Sequence, residues 1–368
     1  EAPSTVQDGV RIVRFPVRHL PLSPLAFAAW RRLLWLLSAV RPVPVALLAR
    51  LAHYTPWVPA LSRWLEQTGE RFDLVAGMTV AYEALLLAGL GFARRHGIPF
   101  VVYPLTHLGT GAQPGGDALA RFYTMRHQVS LVQASHAVVA QTPTEARFYE
   151  ARGVSPGRVV VAGPGVNPSA LLGGDGQEFR RRHNLQGPLI CSIAAMSAEK
   201  GSVALVEAVR RLWQAGRELE LVLAGSILAP FQHFLAGLPS SDRGRVRLLG
   251  PIEEAEKRNL LAAADLFVMP SRTDSFGIVY LEAWLYRLPV IGAQTWGLGD
   301  VISHGHDGLL VPFGDVPALA EAIATLLDDP GRRAAMGASG EEKVYRAHTW
   351  EHKYTIVRNL YTRLTTGG

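Results

Sequence analysis

Hydrophobic positions along this chain follow two alternating periods. Short apolar runs, "RFDLVAGM", "PFVVYPL", "HAVVAQ" and "RVVVAG", have the length and bounding residues of buried strands. Between them, "YEALLLAGLGFARRHG" and "TPTEARFYEARG" repeat their apolar positions every three to four residues, as amphipathic helices do. The alternation pauses at the Gly/Pro/Asn-rich "GPGVNPSALLGGDG" and then resumes. "PLICSIAAM", "LELVLAG", "RVRLLG", "DLFVMP", "PVIGA" and "GLLVPF" read as strands. "GSVALVEAVRRLWQAG", "EEAEKRNLLAAA", "GIVYLEAWLYR" and "VPALAEAIATLLDD" read as the helices among them. Such a pattern predicts parallel sheets with helices on both faces. The fold expected is α/β, with two Rossmann-like domains facing each other across a cleft. The pause near 163–176 is the expected boundary. The domains drawn are an N-terminal one over 1–165, a C-terminal one over 166–345, and a final helix over 346–368 that packs back toward the first.

Composition narrows the class. A length of 368 residues suits two cores better than one, and an apolar fraction of 48% suits well-buried domains. A single cysteine, Cys191, excludes a disulfide framework and a thiolate metal cluster, and its apolar surroundings mark it as a buried strand thiol. The net charge of +6 favours anionic partners. No run approaches the ~20 apolar residues of a membrane span, and the start carries no signal-peptide pattern. The expected location is cytoplasmic, or peripheral on the inner face of a membrane.

Residues 9–65 stand apart. They hold Arg11, Arg14, Arg18, Arg31, Arg32, Arg41, Arg50 and Arg63, with no Asp or Glu, and Trp30, Trp35, Trp57 and Trp64 lie among them. "AFAAWRRLLWLLSAVR" suits a basic helix lying in an anionic membrane surface, held by Trp, Leu and Arg. It equally suits a helix wall over the first domain's own core. The aromatics interleave with leucines and do not form a stacking platform, so nucleic acid is not an expected partner.

Candidate chemistry concentrates in "PSRTDSFGIVYLEAW", Pro270 to Trp284. In an open α/β sheet, ligands bind beyond the carboxyl ends of strands, and "SRTDSFG" is the loop at such an end. Amides at Ser275, Phe276, Gly277, Ile278 and Val279 would open a helix toward an anion. Asp274 and Glu282 lie about 12 Å apart if helical rise is the guide. They suit a ligand with hydroxyls at both ends and phosphates between: a nucleotide sugar. An N-cap aspartate followed by a surface glutamate is the bland alternative. Lys200, before Gly201 in "AMSAEKGSVALVEAV", could neutralise the phosphates and stabilise a leaving diphosphate. Alone it also reads as a surface lysine. Gly225 ends a strand where backbone could approach the ligand, or is a simple turn glycine. His304 and His306 in "SHGHDG" have no evident third ligand, so no metal site is expected there. No G-x-G-x-x-G follows a strand, which argues against a dinucleotide-dependent oxidoreductase.

Taken together, "EKGSVALVEAVRRL", "LELVLAGS", "VRLLGPIEEAEKRNLLAAADLFVMPSRTDSFGIVYLEAW", "LPVIGA" and "GLGDVISHGHDGLLVPFGDVPALAEAIATLLDDPGRRAAMG" resemble the C-terminal half of family 4 glycosyltransferases. These are retaining enzymes of the two-Rossmann GT-B architecture. The resemblance is dense over about 189–355 and looser over 70–170. It implies sugar transfer from a nucleotide diphosphate sugar to an acceptor, with retention and without metal or other cofactor; the basic N-terminal stretch adds the expectation of a lipid-linked acceptor or an acceptor glycan at a membrane surface. It implies that Asp274 contacts the donor sugar, Glu282 the ribose and Lys200 the diphosphate. It also implies that His107 in "VVYPLTHLGTG" faces the reacting sugar and that Ile252 borders the base. The chain departs from the family pattern in places. Ala194 and Ala195 stand where Gly-Arg is common, and losing such a cation could cost on the order of 3 kcal/mol of transition-state stabilisation. Arg272 is the candidate substitute. Asp274 is one methylene shorter than the usual glutamate. The family's first strand and glycine-rich loop have no counterpart before Val10, which raises the expectation of a fragment or of a lost element. A catalytically silent donor-binding partner and a nucleotide-sugar epimerase of the same architecture are the alternative functions.

Overall fold

The computed structural model describes residues 4–19, 21 and 23–366. Positions 20 and 22 of the basic stretch, and the outer ends of the expected domains at 1–3 and 367–368, lie outside these. The chain divides into two compact units. Unit 1 runs to Ala162 and takes in Ile356 onward; unit 2 is Gly163–Thr355.

Unit 1 begins with an antiparallel hairpin, β1 (Ser4–Gln7) and β2 (Val10–Val13). Its main sheet is parallel and ordered β3 (Val75–Met78), β4 (Phe100–Tyr103), β5 (Ala137–Ala140), β6 (Val159–Val161). Because that order follows the sequence, right-handed crossovers put every connecting helix on one face. Helix Glu83–His96 takes its place there: Gly77 of β3, having no Cβ, leaves room for Leu86. Val101, Ala137 and Val139, on the opposite face, pack against Ile356, Val357, Leu360, Tyr361 and Leu364 of helix Trp350–Thr366. The Tyr103 and Tyr361 hydroxyls share a 2.8 Å hydrogen bond on that face.

The basic stretch forms helices Leu25–Ala39, Val45–Ala52 and Pro59–Gln67. Helix Leu25–Ala39 sends Leu34 and Ser38 inward, and Arg31 reaches the fully buried Glu83 at 2.6 and 2.8 Å. The four tryptophans of this stretch are half-buried and make contacts within the domain, as the helix-wall reading expects. Trp30 donates its indole N–H to Leu51 O at 3.0 Å, Trp35 stacks on Phe122, and Trp64 packs against Phe15 and Phe72. Trp57 lies under the Arg18 guanidinium. An indole offers a large area to bury and one donor to satisfy, and for Trp30 the domain supplies both in part.

Unit 2 holds a six-stranded parallel sheet of β7 (Leu189–Ile193), β8 (Glu220–Ala224), β9 (Val246–Gly250), β10 (Leu266–Met269), β11 (Val290–Ala293) and β12 (Gly308–Val311). The order is β12-β11-β10-β7-β8-β9. Counted from β7, this is the doubly wound 3-2-1-4-5-6 arrangement, with its switch point between β7 and β10. Side chains alternate between two cores. Ile190, Leu221, Leu223, Val268 and Ile291 enter one; Leu189, Cys191, Val222, Phe267 and Val290 enter the other. Cys191 is fully buried, and burial pushes its thiol pKa up, so it is an inert core residue. Within unit 2 the first and last segments pair: Val166 N donates to His348 O at 2.8 Å, and Trp350 N to Val166 O at 3.1 Å.

Candidate active site

The switch point brings two loops together, the one after β7 and the one after β10. Two glycines make the approach possible. A Cβ on Gly201 (φ +78°) would lie 2.4 Å from Pro270 O, and one on Gly225 (φ +124°) would lie 2.1 Å from Ala194 O. Neither position tolerates a side chain without moving backbone. Gly225 thus fixes the loop after β7 against the end of β8, with Gly225 N donating to Gly250 O at 2.7 Å.

On this platform Lys200 meets Asp274. The ammonium lies 3.0 Å from each carboxylate oxygen, and both side chains are part-buried. The loop carrying Asp274 is held below by Ser271, fully buried, whose backbone N–H donates to Met269 O. Arg272 pairs with the Glu199 carboxylate, donates its backbone N–H to Glu199 O, and lies over the Phe313 ring. The guanidinium holds the Glu199 carboxyl below its usual range. Arg272 therefore stands beside the Lys200–Asp274 pair, while Ala195, at the position of the family's arginine, is exposed.

Helix Ile278–Leu285 starts at Gly277, whose φ of +78° no β-carbon residue adopts readily, and no side chain caps it. Tyr280 N donates back to Gly277 O at 3.0 Å, and the helix start carries the positive end of the helix dipole. Phe276 is buried in the core and lies edge-on to His348 at 5.6 Å, so only its backbone can serve a ligand. Tyr280, fully buried, donates its hydroxyl to Met269 O and ties the helix to β10. One turn beyond, Glu282 lies 3.0 Å from Lys257, which also holds Glu254 at 2.9 Å. Burial works against the Lys257 charge, but the two carboxylates outweigh it and raise its pKa. Ile252 follows β9, half-buried against the same core.

The structure therefore gathers Lys200, Asp274, Gly225 and the Ser275–Val279 amides at the carboxyl ends of neighbouring strands, with Glu282 one turn into the helix. His107 belongs to unit 1, in the loop after β4. Leu105 there adopts φ +52°, Thr106 N donates to Glu145 at 2.6 Å, and Thr106 Oγ1 shares a 2.7 Å hydrogen bond with the Tyr149 hydroxyl. The His107 ring packs edge-on against Tyr123. Glu145 is fully buried, and burial raises its pKa against the opposing pull of the Gln141 and Thr106 amides. His304, set aside as a ligand, accepts Leu310 N at 2.9 Å. Among the described residues no cluster of three or more His, Cys, Asp or Glu could hold a metal.

Sequence reasoning missed Lys257, Glu199 and Glu145. Glu145 carried a signal, since Thr142 and Glu145 form the Thr-x-x-Glu pattern of a helix start. Lys257 and Glu199 carried none, because their partners are distant in sequence.

Comparisons with known proteins bear on this geometry. A family model described as "Glycosyl transferases group 1" matches residues 175–343, and one described as "Glycosyltransferase Family 4" matches residues 36–170. The chain is 36% identical over 171 residues to a GDP-mannose-dependent monoacylated alpha-(1-6)-phosphatidylinositol monomannoside mannosyltransferase of Corynebacterium glutamicum, covering 45% of this chain and 44% of that protein. It is 30% identical over 290 residues to D-inositol 3-phosphate glycosyltransferase 1 of Catenulispora acidiphila, covering 75% of this chain and 69% of the relative. The chain spans about half the length of several of the curated relatives it matches. Sucrose-phosphate synthase from Thermosynechococcus elongatus shares the fold, with a TM-score of 0.72 at 21% identity over 99% of this chain and 86% of that one. The α/β class and the Rossmann-like build of both units agree with the GT-B architecture expected from sequence. With two adjoining family models and a relative matched over most of its length, the chain belongs to glycosyltransferase family 4.

Proposed function

We propose that this protein transfers a glycosyl group from a nucleoside diphosphate sugar to an acceptor hydroxyl, with the anomeric configuration retained and no metal required. The observation that carries this is the Lys200–Asp274 pair beside the uncapped helix start at Gly277. A diphosphate carries more negative charge than Asp274 and competes with it for Lys200. Once Lys200 turns to phosphate, the Asp274 oxygens accept hydrogen bonds from the donor sugar, and the Ser275–Val279 amides hold the phosphates. Glu282, oriented by Lys257, accepts the ribose hydroxyls, and Ile252 borders the base.

In the reaction the acceptor oxygen bonds to the anomeric carbon as the bond to the diphosphate oxygen breaks, on the same face of the sugar. The acceptor proton passes to a donor phosphate oxygen, and the nucleoside diphosphate departs. No protein nucleophile is needed. Lys200 and the helix amides stabilise charge where it grows, on the leaving diphosphate. The relatives' names support a nucleotide-sugar donor, and one of them acts on a phosphatidylinositol mannoside. The proposed acceptor is accordingly a lipid-linked or cell-envelope glycan.

Exposed Ala195 favours one second reading, a donor-binding partner without transfer activity. Incubation with a panel of nucleoside diphosphate sugars separates the two. Slow release of nucleoside diphosphate and free sugar, resistant to chelator and lost in Lys200→Ala, is expected for the transferase. Tight binding with no release from any donor would establish the silent partner.

A further inference from the structure

Helix Leu25–Ala39 has two faces, and only the inner one is explained by the fold. Its inner face carries Leu34, Ser38 and Arg31, all committed to the domain interior. Its outer face should then be polar. Instead, Leu25, Leu33 and Leu36 and the C-cap residue Val40 recur there at helical spacing, and they are 78%, 41%, 54% and 49% exposed. The polar residues adjoining this stripe are exposed Arg32 and Arg41. A single exposed leucine requires no explanation, but an aliphatic stripe along a whole helix does. No helix among the described residues is long and apolar enough to cross a membrane.

The helix is also held firmly. The Arg126 guanidinium binds the carbonyls at its C-terminal end, Ser38 O and Val40 O at 2.7 Å each and Val43 O at 2.9 Å. Arg31 fixes its middle. The stripe is thus presented as a fixed surface.

We propose that this outer face docks on an anionic lipid surface, lying in the plane of the interface with Leu25, Leu33, Leu36 and Val40 among the acyl chains and Arg32 and Arg41 at the headgroups. Charge complementarity decides for lipid. Residues 9–65 contain no carboxylate, so nothing on helices Leu25–Ala39 and Val45–Ala52 repels an anionic bilayer. The mode rests on aliphatic side chains, whereas the half-buried indoles of Trp30 and Trp35 make contacts within the domain. The proposal rests on this face alone, independently of the nucleotide site.

The test is flotation of the full chain with phosphatidylcholine vesicles and with mixed phosphatidylglycerol–phosphatidylcholine vesicles. Binding to the mixed vesicles is expected, weakening with salt. Leu33→Glu/Leu36→Glu should abolish it with an unchanged melting temperature, because both side chains are exposed. Arg32→Ala and Arg41→Ala should each weaken it about fivefold. Lys200→Ala should float like the parent, which separates failure here from failure of the donor site. Equal binding to both vesicle types, or flotation unaffected by Leu33→Glu/Leu36→Glu, would overturn the proposal. So would a concentration-dependent dimer, lost in that double variant, without any vesicle binding: the face would then join two copies of the chain.

Discussion

Lys200 and Asp274 are 74 residues apart in sequence, yet the ammonium lies 3.0 Å from both carboxylate oxygens. The contact exists because the sheet's strand order places β7 beside β10, and because Gly201 lets the two following loops close on each other. Each partner holds the other in place, and the proposed donor, with phosphate and hydroxyl groups together, would compete for both.

Glu282 is assigned to the ribose, so its loss should be felt only by ligands that have one. Glu282→Ala is expected to weaken nucleoside diphosphate binding about tenfold, or ~1.4 kcal/mol. Inorganic pyrophosphate binding should be unchanged. Calorimetry with both ligands checks this, and equal losses for the two would move Glu282 away from the ribose.

Gly225→Ala should cost about 1–3 kcal/mol of stability and weaken nucleotide binding, because the new methyl meets Ala194 O and displaces the loop after β7. Gly157→Ala, with open space around its Cβ and no positive φ, is the control and should be near neutral. Urea unfolding of the two variants gives the comparison.

Arg126 caps a helix it does not belong to. Arg126→Ala removes the guanidinium bonds to the carbonyls of Ser38, Val40 and Val43, leaving Val40 O with Val43 N alone, and should destabilise the protein by about 2–3 kcal/mol. Arg126→Lys should rescue little, since an ammonium cannot span the same set of acceptors. Thermal melts of both variants read this directly.

His348 packs on Phe276, and its pKa is pushed down to about 4, first by burial and then by Lys353, Lys343, Arg346 and His352. The folded state disfavours the charged imidazole, so the unfolded chain binds more protons between about 4 and the ordinary 6.5. Stability should rise with pH across that window and fall as pH drops through it. His348→Gln should flatten this part of the pH–melting profile, and an unchanged slope would assign it to other groups.

Much of this was legible in sequence because two signals agreed. Short, near-continuous apolar runs such as "LICSI" and "ELVLA" marked strands buried on both faces, and the loop in "SRTDSFG" fell at a strand's carboxyl end. The basic N-terminal stretch was harder. With no carboxylate and few neutral polar residues, it offered no contrast to tell inward from outward, so Trp30, Trp35 and Arg31 could be placed on either side. Partners set by tertiary contact were also invisible: Lys257 for Glu282 and Glu199 for Arg272 lie 25 and 73 residues away. Strand order decided those contacts, and local spacing carries no record of it.

The central claim is that Lys200 exchanges Asp274 for a diphosphate at the mouth of the Gly277 helix. Titration calorimetry with UDP and GDP in the presence of EDTA, on the parent protein and Lys200→Ala, addresses it most directly. The account predicts chelator-resistant binding of at least one nucleotide and a loss on the order of tenfold to a hundredfold in the variant. Binding that requires a divalent cation, or that is indifferent to the loss of Lys200, would contradict it.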